Sequence, residues 1–258
     1  MGLLKSLFIT LSEAIIVVSV LVTSTGAQAI PGDAALLERG TTDERHGALV
    51  RILEKPADNR DRATWDAIGR EAIRISQIYR QAENDHQQLT EYYFDYYVDL
   101  IGALTQWRNP DAISPLAATV AAGGGVVGKA LAKFGDLALP ALLQVIRDEQ
   151  RAPFTRGAAA MALGMVARGE ATDAISPLSD AGRRLIVSTA GDLLETHLGW
   201  LIPVVGLALD TNDATLRRRV ERLAADDGEW TRHGITDAEA IARSRGQVQA
   251  LLRLTPQR

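Results

Sequence analysis

Apolar and polar positions alternate at steps of three and four along most of this chain, the spacing of helices that each bury one face. The pattern is clearest from Gly135 to Gly169. Leu137, Pro140, Leu143 and Ile146 form one stripe, and Ala158, Met161, Ala162, Met165 and Val166 form a second beyond a short polar turn. One short helix pair cannot bury both stripes by itself. Ala158, Met161, Ala162 and Met165 are therefore expected between neighbouring pairs, with Leu143 and Ile146 in the same core. Further towards the N-terminus, Ile30 to Gly40 reads as a flexible lead-in. Thr42 is expected to cap a helix with Asp43 and Glu44 in its first turn and Leu49, Ile52 and Leu53 inside, ending before Pro56. Two longer helices follow. One starts at Asp61, carries Trp65, Ile68, Ala72, Ile75 and Tyr79, and breaks at Asn84-Asp85. The other runs from Leu89 to Trp107 and stops at Asn109-Pro110. Near the C-terminus, Ala214–Asp226 is helical and Asp227–Gly234 is turn-like. Thr236 with Glu239 then forms a capping-box pattern for a last helix carrying Ile241, Val248 and Leu252. No segment reads as a strand; Leu185–Thr189 and Leu201–Leu207 fit buried helices.

Internal similarity is concentrated around proline. Asp111–Leu116 and Asp173–Leu178 are both DAISPL, and LALPAL from Leu137 and LIPVV from Leu201 are looser versions. Pro115, Pro140, Pro177 and Pro203 each sit early in an apolar segment, where a helix tolerates proline. A second-helix element recurs as VVGKALAKFG from Val126 and ATLRRRVERLAAD from Ala214. Proline in a first helix, then charged and small apolar residues in a second, resembles the HEAT repeat and its bacterial HEAT-like relatives of the PBS-lyase type. The resemblance spans Pro110 to Asp226. It implies an all-α, right-handed α–α superhelix, a HEAT-like solenoid, with a divergent N-terminal helical cap. The expected organisation is residues 1–29 as a signal peptide, 30–109 as a cap or degenerate repeats, 110–226 as the repeat block and 227–258 as a capping helix.

Composition narrows the function. Aromatics are 5% of the chain, which favours close helix packing, and the formal net charge of −4 argues against nucleic-acid binding by the whole surface. Lys5, the mostly apolar stretch Leu7–Val22 and the small-x-small site Ala27-Gln28-Ala29 point to cleaved export, over an uncleaved anchor or a buried helix. The mature chain is then expected to be periplasmic or secreted, without a stable membrane span. With no cysteine in the sequence, thiol catalysis and thiolate metal sites are removed.

Candidate chemistry is sparse. Gly123 to Lys129 satisfies G-x-x-x-x-G-K, but Ala130 replaces the hydroxyl residue that ligates magnesium and no strand precedes it, so a turn is the better expectation. His46, His86, His197 and His233 show no metal-ligand spacing, and no serine lies in a nucleophile motif. No cofactor is implied. Tyr92, Tyr93, Tyr96 and Tyr97 surround one helix. One face must be core, with Tyr92, Tyr96 and Asp99 on or near another; packing against neighbouring helices is the first expectation for them, and a recognition patch at Tyr92 and Tyr96 the alternative. Lys129, Lys133, Arg156, Arg217, Arg218 and Arg222 lie on segments read as second helices. In HEAT-like arrays those helices line the concave face, so the resemblance implies a basic groove for a protein or anionic partner. The alternative is that these cations pair with Asp136, Asp148, Asp173 and Asp210 between repeats. A non-catalytic interaction scaffold is the leading expectation. The runner-up is an enzyme or small-ligand binder with a site between the N-terminal helices and the repeat block, and a structural envelope subunit comes third.

Overall fold

The computed structural model describes residues 32–84, 91–169, 171, 173–197, 199 and 201–255. The expected signal segment lies outside them, as does His86. The chain divides into Met1–Gly32 and Asp33–Arg258, and the described helices all belong to the second unit.

The described residues form thirteen α-helices and no strand. They are α1 (Asp33–Arg39), α2 (Thr42–Glu54), α3 (Arg62–Asn84), α4 (Glu91–Gln106), α5 (Ile113–Thr119), α6 (Gly124–Ala132), α7 (Leu139–Arg147), α8 (Pro153–Arg168), α9 (Asp180–Thr196), α10 (Leu201–Asp210), α11 (Ala214–Ala225), α12 (Asp227–Arg232) and α13 (Ala238–Leu254). None is long and apolar enough to cross a membrane.

Local chemistry sets the ends, sometimes one residue from expectation. Thr41, rather than Thr42, caps α2: its hydroxyl accepts from Glu44 N at 3.4 Å while Glu44 Oε2 accepts from Thr41 N at 2.7 Å. Asp237, rather than Thr236, caps α13, accepting from Ala240 N at 2.6 Å. The expected lead-in contains a helix, α1, whose Leu37 is fully buried. Arg45 holds its C-terminal end by donating to the carbonyls of Leu37, Glu38 and Gly40 at 2.5–2.7 Å. Leu137 lies in a 3-10 turn before α7 and is exposed, so it does not belong to the stripe.

Packing arranges the helices in two rows. α1, α3, α5 and α7 touch in succession on one side, and α2, α4, α6, α8 and α10 do so on the other. Each odd helix also packs on the even helix that follows it. α10 then meets α13, and α9 meets α11, so α11 belongs with the odd row and α13 with the even row. Contact between α7 and α9 is slight; there the segment 173–179 intervenes, with Ser179 N donating to Asp136 Oδ1 at 3.0 Å. The helices assigned to the N-terminal cap thus continue the same alternation as the rest.

Small residues bring the even row together. Gly128 of α6 faces α8 so closely that an added Cβ would lie 2.5 Å from Met165 Sδ and 3.3 Å from Ala162 Cα. Ala158 and Ala162 are buried as expected, beside Leu143 and Ile146. Met161 is not between helices; it stands 41% exposed on the free side of α8. Glycines 124 and 125 open α6, so the G-x-x-x-x-G-K run is mostly helix and follows helix α5.

Two polar devices tie the first four helices. Buried Glu71 accepts from Arg45 Nη1 at 2.7 Å, from Arg74 Nε and Nη2 at 2.6 Å, and from Tyr96 Oη at 3.0 Å. A buried carboxylate with both oxygens engaged locks the register of its neighbours. Trp65 and Trp107 stack at 4.9 Å, with Arg60 over the outer face of one and Arg62 over the other. Nε and Nη1 of buried Arg60 have no hydrogen-bond acceptor among the described residues, so the Trp65 π-face is the main compensation for that side of the guanidinium.

Candidate functional site

A cleft of ≈630 Å³ opens between α4 and α6 in the even row. α4 supplies Val98, Ile101, Gly102, Thr105 and Gln106, which share one helical face at steps of three and four. From the α6 side come Val126, Lys129, Ala130 and Lys133, the last just beyond the helix end. Asp173 and Ile175 close one edge, and Ala57 and Arg108 complete the lining. Branched apolar side chains therefore underlie a charged rim.

Arg108 follows Trp107, whose ring is fixed between Trp65 and Arg62. At φ +54 its backbone is left-handed, an uncommon state for a residue with a side chain. The guanidinium is thus carried by a rigid base. Lys133 Nζ meets Asp173 Oδ2 at 2.9 Å, and Ile175 N donates to the Lys133 carbonyl at 2.6 Å. The side-chain hydrogen bond from Lys133, together with the Arg108 charge, keeps the Asp173 carboxyl below the ordinary range, so it is ionised at neutral pH. Lys129 is exposed and has no ion-pair partner among the described residues. Three cations therefore face one carboxylate across this cleft, on a chain whose net charge is −4.

The other expected groove residues lie elsewhere. Arg156 of α8 donates from Nε to the Ile146 carbonyl at 2.8 Å, closing the end of α7, and sits 3.2 Å from His197 Nε2. Desolvation, with Arg156 nearby, holds His197 below the usual imidazole range. Arg217, Arg218 and Arg222 are on α11, which packs in the odd row. They cannot share the α6 face. Arg217 bonds Glu221 at 3.2 Å and the Thr255 carbonyl at 2.9 Å; Arg222 bonds Glu229 at 3.3 Å. Arg218 reaches the Ala214 carbonyl of its own helix at 3.2 Å. One continuous six-residue basic groove is thus corrected to a cleft holding Lys129 and Lys133. Pairing with the named aspartates, the alternative, describes Lys133 with Asp173 and Arg168 with Asp210, while Arg217 and Arg222 pair with Glu221 and Glu229 instead.

The tyrosine patch is also corrected. Tyr96 is 1% exposed and hydrogen-bonded to Glu71, and burial raises its phenol well above the ordinary value. Tyr97 is equally buried, donates to the Thr119 carbonyl at 3.0 Å, and is pushed up to about 12 by burial. Both are core. The side chain of Tyr92 lies outside those described, and among the described side chains of this stretch the exposed aromatic is Phe94.

Two further hollows differ in character. One, of ≈500 Å³, is lined by Phe154, Gly157, Met161, Pro203 and other residues without charge. The other, of ≈290 Å³, collects Arg219, Arg222 and Arg232 around Glu195 and Glu229, with His233 beside them. Among the described residues no cluster of three metal-ligating side chains occurs. Arg108 belongs to the site without any local signal in the sequence, whereas Asp173 is among the carboxylates expected to pair with these cations. Arg108 is itself a left-handed turn residue, and Asp173 arrives from forty positions beyond Lys133. Comparison with protein-family models, with curated proteins and with solved structures finds no match to this chain.

Proposed function

We propose that this chain is an exported, non-catalytic scaffold of the HEAT-like solenoid type that holds an acidic segment of a protein partner in the cleft between α4 and α6. The observation that carries this is the convergence of Arg108, Lys129 and Lys133 about a single carboxylate above an apolar floor. A cationic rim steers an acidic partner in, and apolar contact then retains it. The alternation of helices in two rows, each touching its neighbours, supports the solenoid, since repeat arrays are built of such nearest-neighbour contacts. Lys5, the apolar stretch after it and Ala27-Gln28-Ala29 support export.

Affinity capture from the envelope of the native cell, with wild type and an Arg108→Glu/Lys129→Glu variant compared at low and high salt, tests the binding. A partner retained by wild type should be lost from the variant, with the difference shrinking as salt screens the charges. Equal capture by both proteins at every salt concentration would sink the proposal. N-terminal sequencing of the cell-derived protein tests export, with Ile30 expected first.

A small anionic ligand is the second reading, favoured by one observation. The cleft volume lies within the roughly 300–1,000 Å³ of ordinary ligand pockets, and the cleft joins the N-terminal helices to the segment beyond Pro110. Native mass spectrometry of the cell-derived protein separates the two readings by the mass retained.

A further inference from the structure

The cleft already contains a fragment of the chemistry it is proposed to bind. Asp173 places its carboxylate on Lys133, and two residues on Ile175 turns into the lining while its backbone N–H donates to the Lys133 carbonyl. Asp173-Ala174-Ile175 is outside any helix, with Ala174 exposed and Ile175 half-buried. The segment is therefore seated by one charge, one aliphatic side chain and a backbone hydrogen bond. Those are contacts by which a short peptide segment docks at a surface.

We infer that Asp173–Ile175 is an internal stand-in for the partner, and that the partner presents a non-helical segment with an acidic residue two positions before a branched aliphatic one. This rests on the proposal that the cleft takes an acidic partner. Lys129 and Arg108, at the rim, are left to receive a carboxylate from outside while Lys133 is engaged from within. An incoming segment either displaces Asp173 from Lys133 or takes the second cationic position beside it; the first gives a competition, the second does not. The exposure of the resident pair, 33% for the Lys133 side chain and 54% for Asp173, favours displacement, because such pairs hold weakly.

The probe is the labelled peptide acetyl-Asp-Ala-Ile-Ser-Pro-Leu-amide, with an asparagine-headed counterpart, titrated by fluorescence anisotropy against the mature protein. The acidic peptide should bind more tightly than its amide counterpart, and Lys129→Glu should weaken it. Asp173→Asn should raise its affinity roughly threefold or more, the amount an exposed pair withholds. Asp111→Asn removes the same charge from the other DAISPL copy, paired with Arg62 away from the lining, and should leave affinity unchanged. Ile175→Ala is the second route, since vacating the aliphatic position should also favour the peptide. Equal gains from Asp173→Asn and Asp111→Asn overturn the stand-in, because charge alone then explains them. No gain from either Asp173→Asn or Ile175→Ala overturns it too, while a loss with Lys129→Glu would keep the cleft as the site. An affinity indifferent to Lys129→Glu overturns both.

Discussion

The hexapeptide DAISPL occurs twice and folds in two ways. Asp111–Leu116 passes through a 3-10 turn into α5, with Ala112, Ile113 and Leu116 buried between rows. Asp173–Leu178 is non-helical, half exposed and half part-buried, and the helix after it waits until Asp180. Six identical residues cannot cause the difference, so flanks and partners must. The first copy follows Asn109-Pro110, where the Asn109 side chain accepts from Asp111 N at 2.9 Å, and it runs on into Ala117-Ala118. Behind the second copy come Ser179 and Asp180; Ser179 Oγ accepts from Gly182 N at 3.0 Å and so starts the helix late. Gly135, at φ +50, lies directly beneath the Ser176 carbonyl and leaves room for the loop. Sequence identity at this length reports composition, while conformation is chosen by what the segment lands on.

The contrast has consequences of decreasing size. Leu116→Ala should destabilise the protein by about 2–5 kcal/mol, as removal of a fully buried leucine does, whereas Leu178→Ala, half-buried in the other copy, should do clearly less. Urea unfolding of both variants checks the order, and equal losses would remove the distinction. Gly135→Ala forces a side chain into the left-handed region, at about 1–3 kcal/mol, and its Cβ would overlap the Ser176 carbonyl oxygen. Faster hydrogen exchange confined to residues 173–179 and the start of α7 is the expected signature. Converting Ser179-Asp180 to Ala-Ala extends the identity of the copies to eight residues. Stability should fall by about 1 kcal/mol with the lost cap, and the circular dichroism at 222 nm should not gain helix, because the docking on Lys133 persists. A gain in helicity would show that local sequence rules this segment after all. Last, Asp173→Asn and Asp111→Asn should each shift stability by less than about 1 kcal/mol, both pairs being exposed.

Helices and their spacing are legible in the sequence because burial of one face imposes a period that residues such as Trp65, Ile68, Ala72 and Ile75 display directly. Close packing is legible in the alanines of α8. Which row a helix joins is not. Analogy with Pro115 makes Pro177 and Pro203 each the start of a first helix. Instead Pro177 is in the loop, α9 takes the first position and α10 the second. That shift carries Arg217, Arg218 and Arg222 to the opposite row. Lys129 and Lys133, one helical turn apart, need no such bookkeeping, and they alone of the six arrive together. Tyr96 escapes sequence reasoning because Glu71, its buried partner, sits 25 positions away and gives no local sign.

The slight contact between α7 and α9 gives the array a mechanical bias. On the even side α6, α8 and α10 run as an unbroken spine, while the odd side has a gap. A force that separates the ends should be resisted along the spine and should bend the molecule first at that gap. The strap across the gap is the 173–179 loop, fastened at Lys133 and Asp136 just before α7 and running directly into α9. Loosening the fastenings at Lys133, the Asp173 ion pair and the Ile175 backbone hydrogen bond together, should therefore soften that hinge.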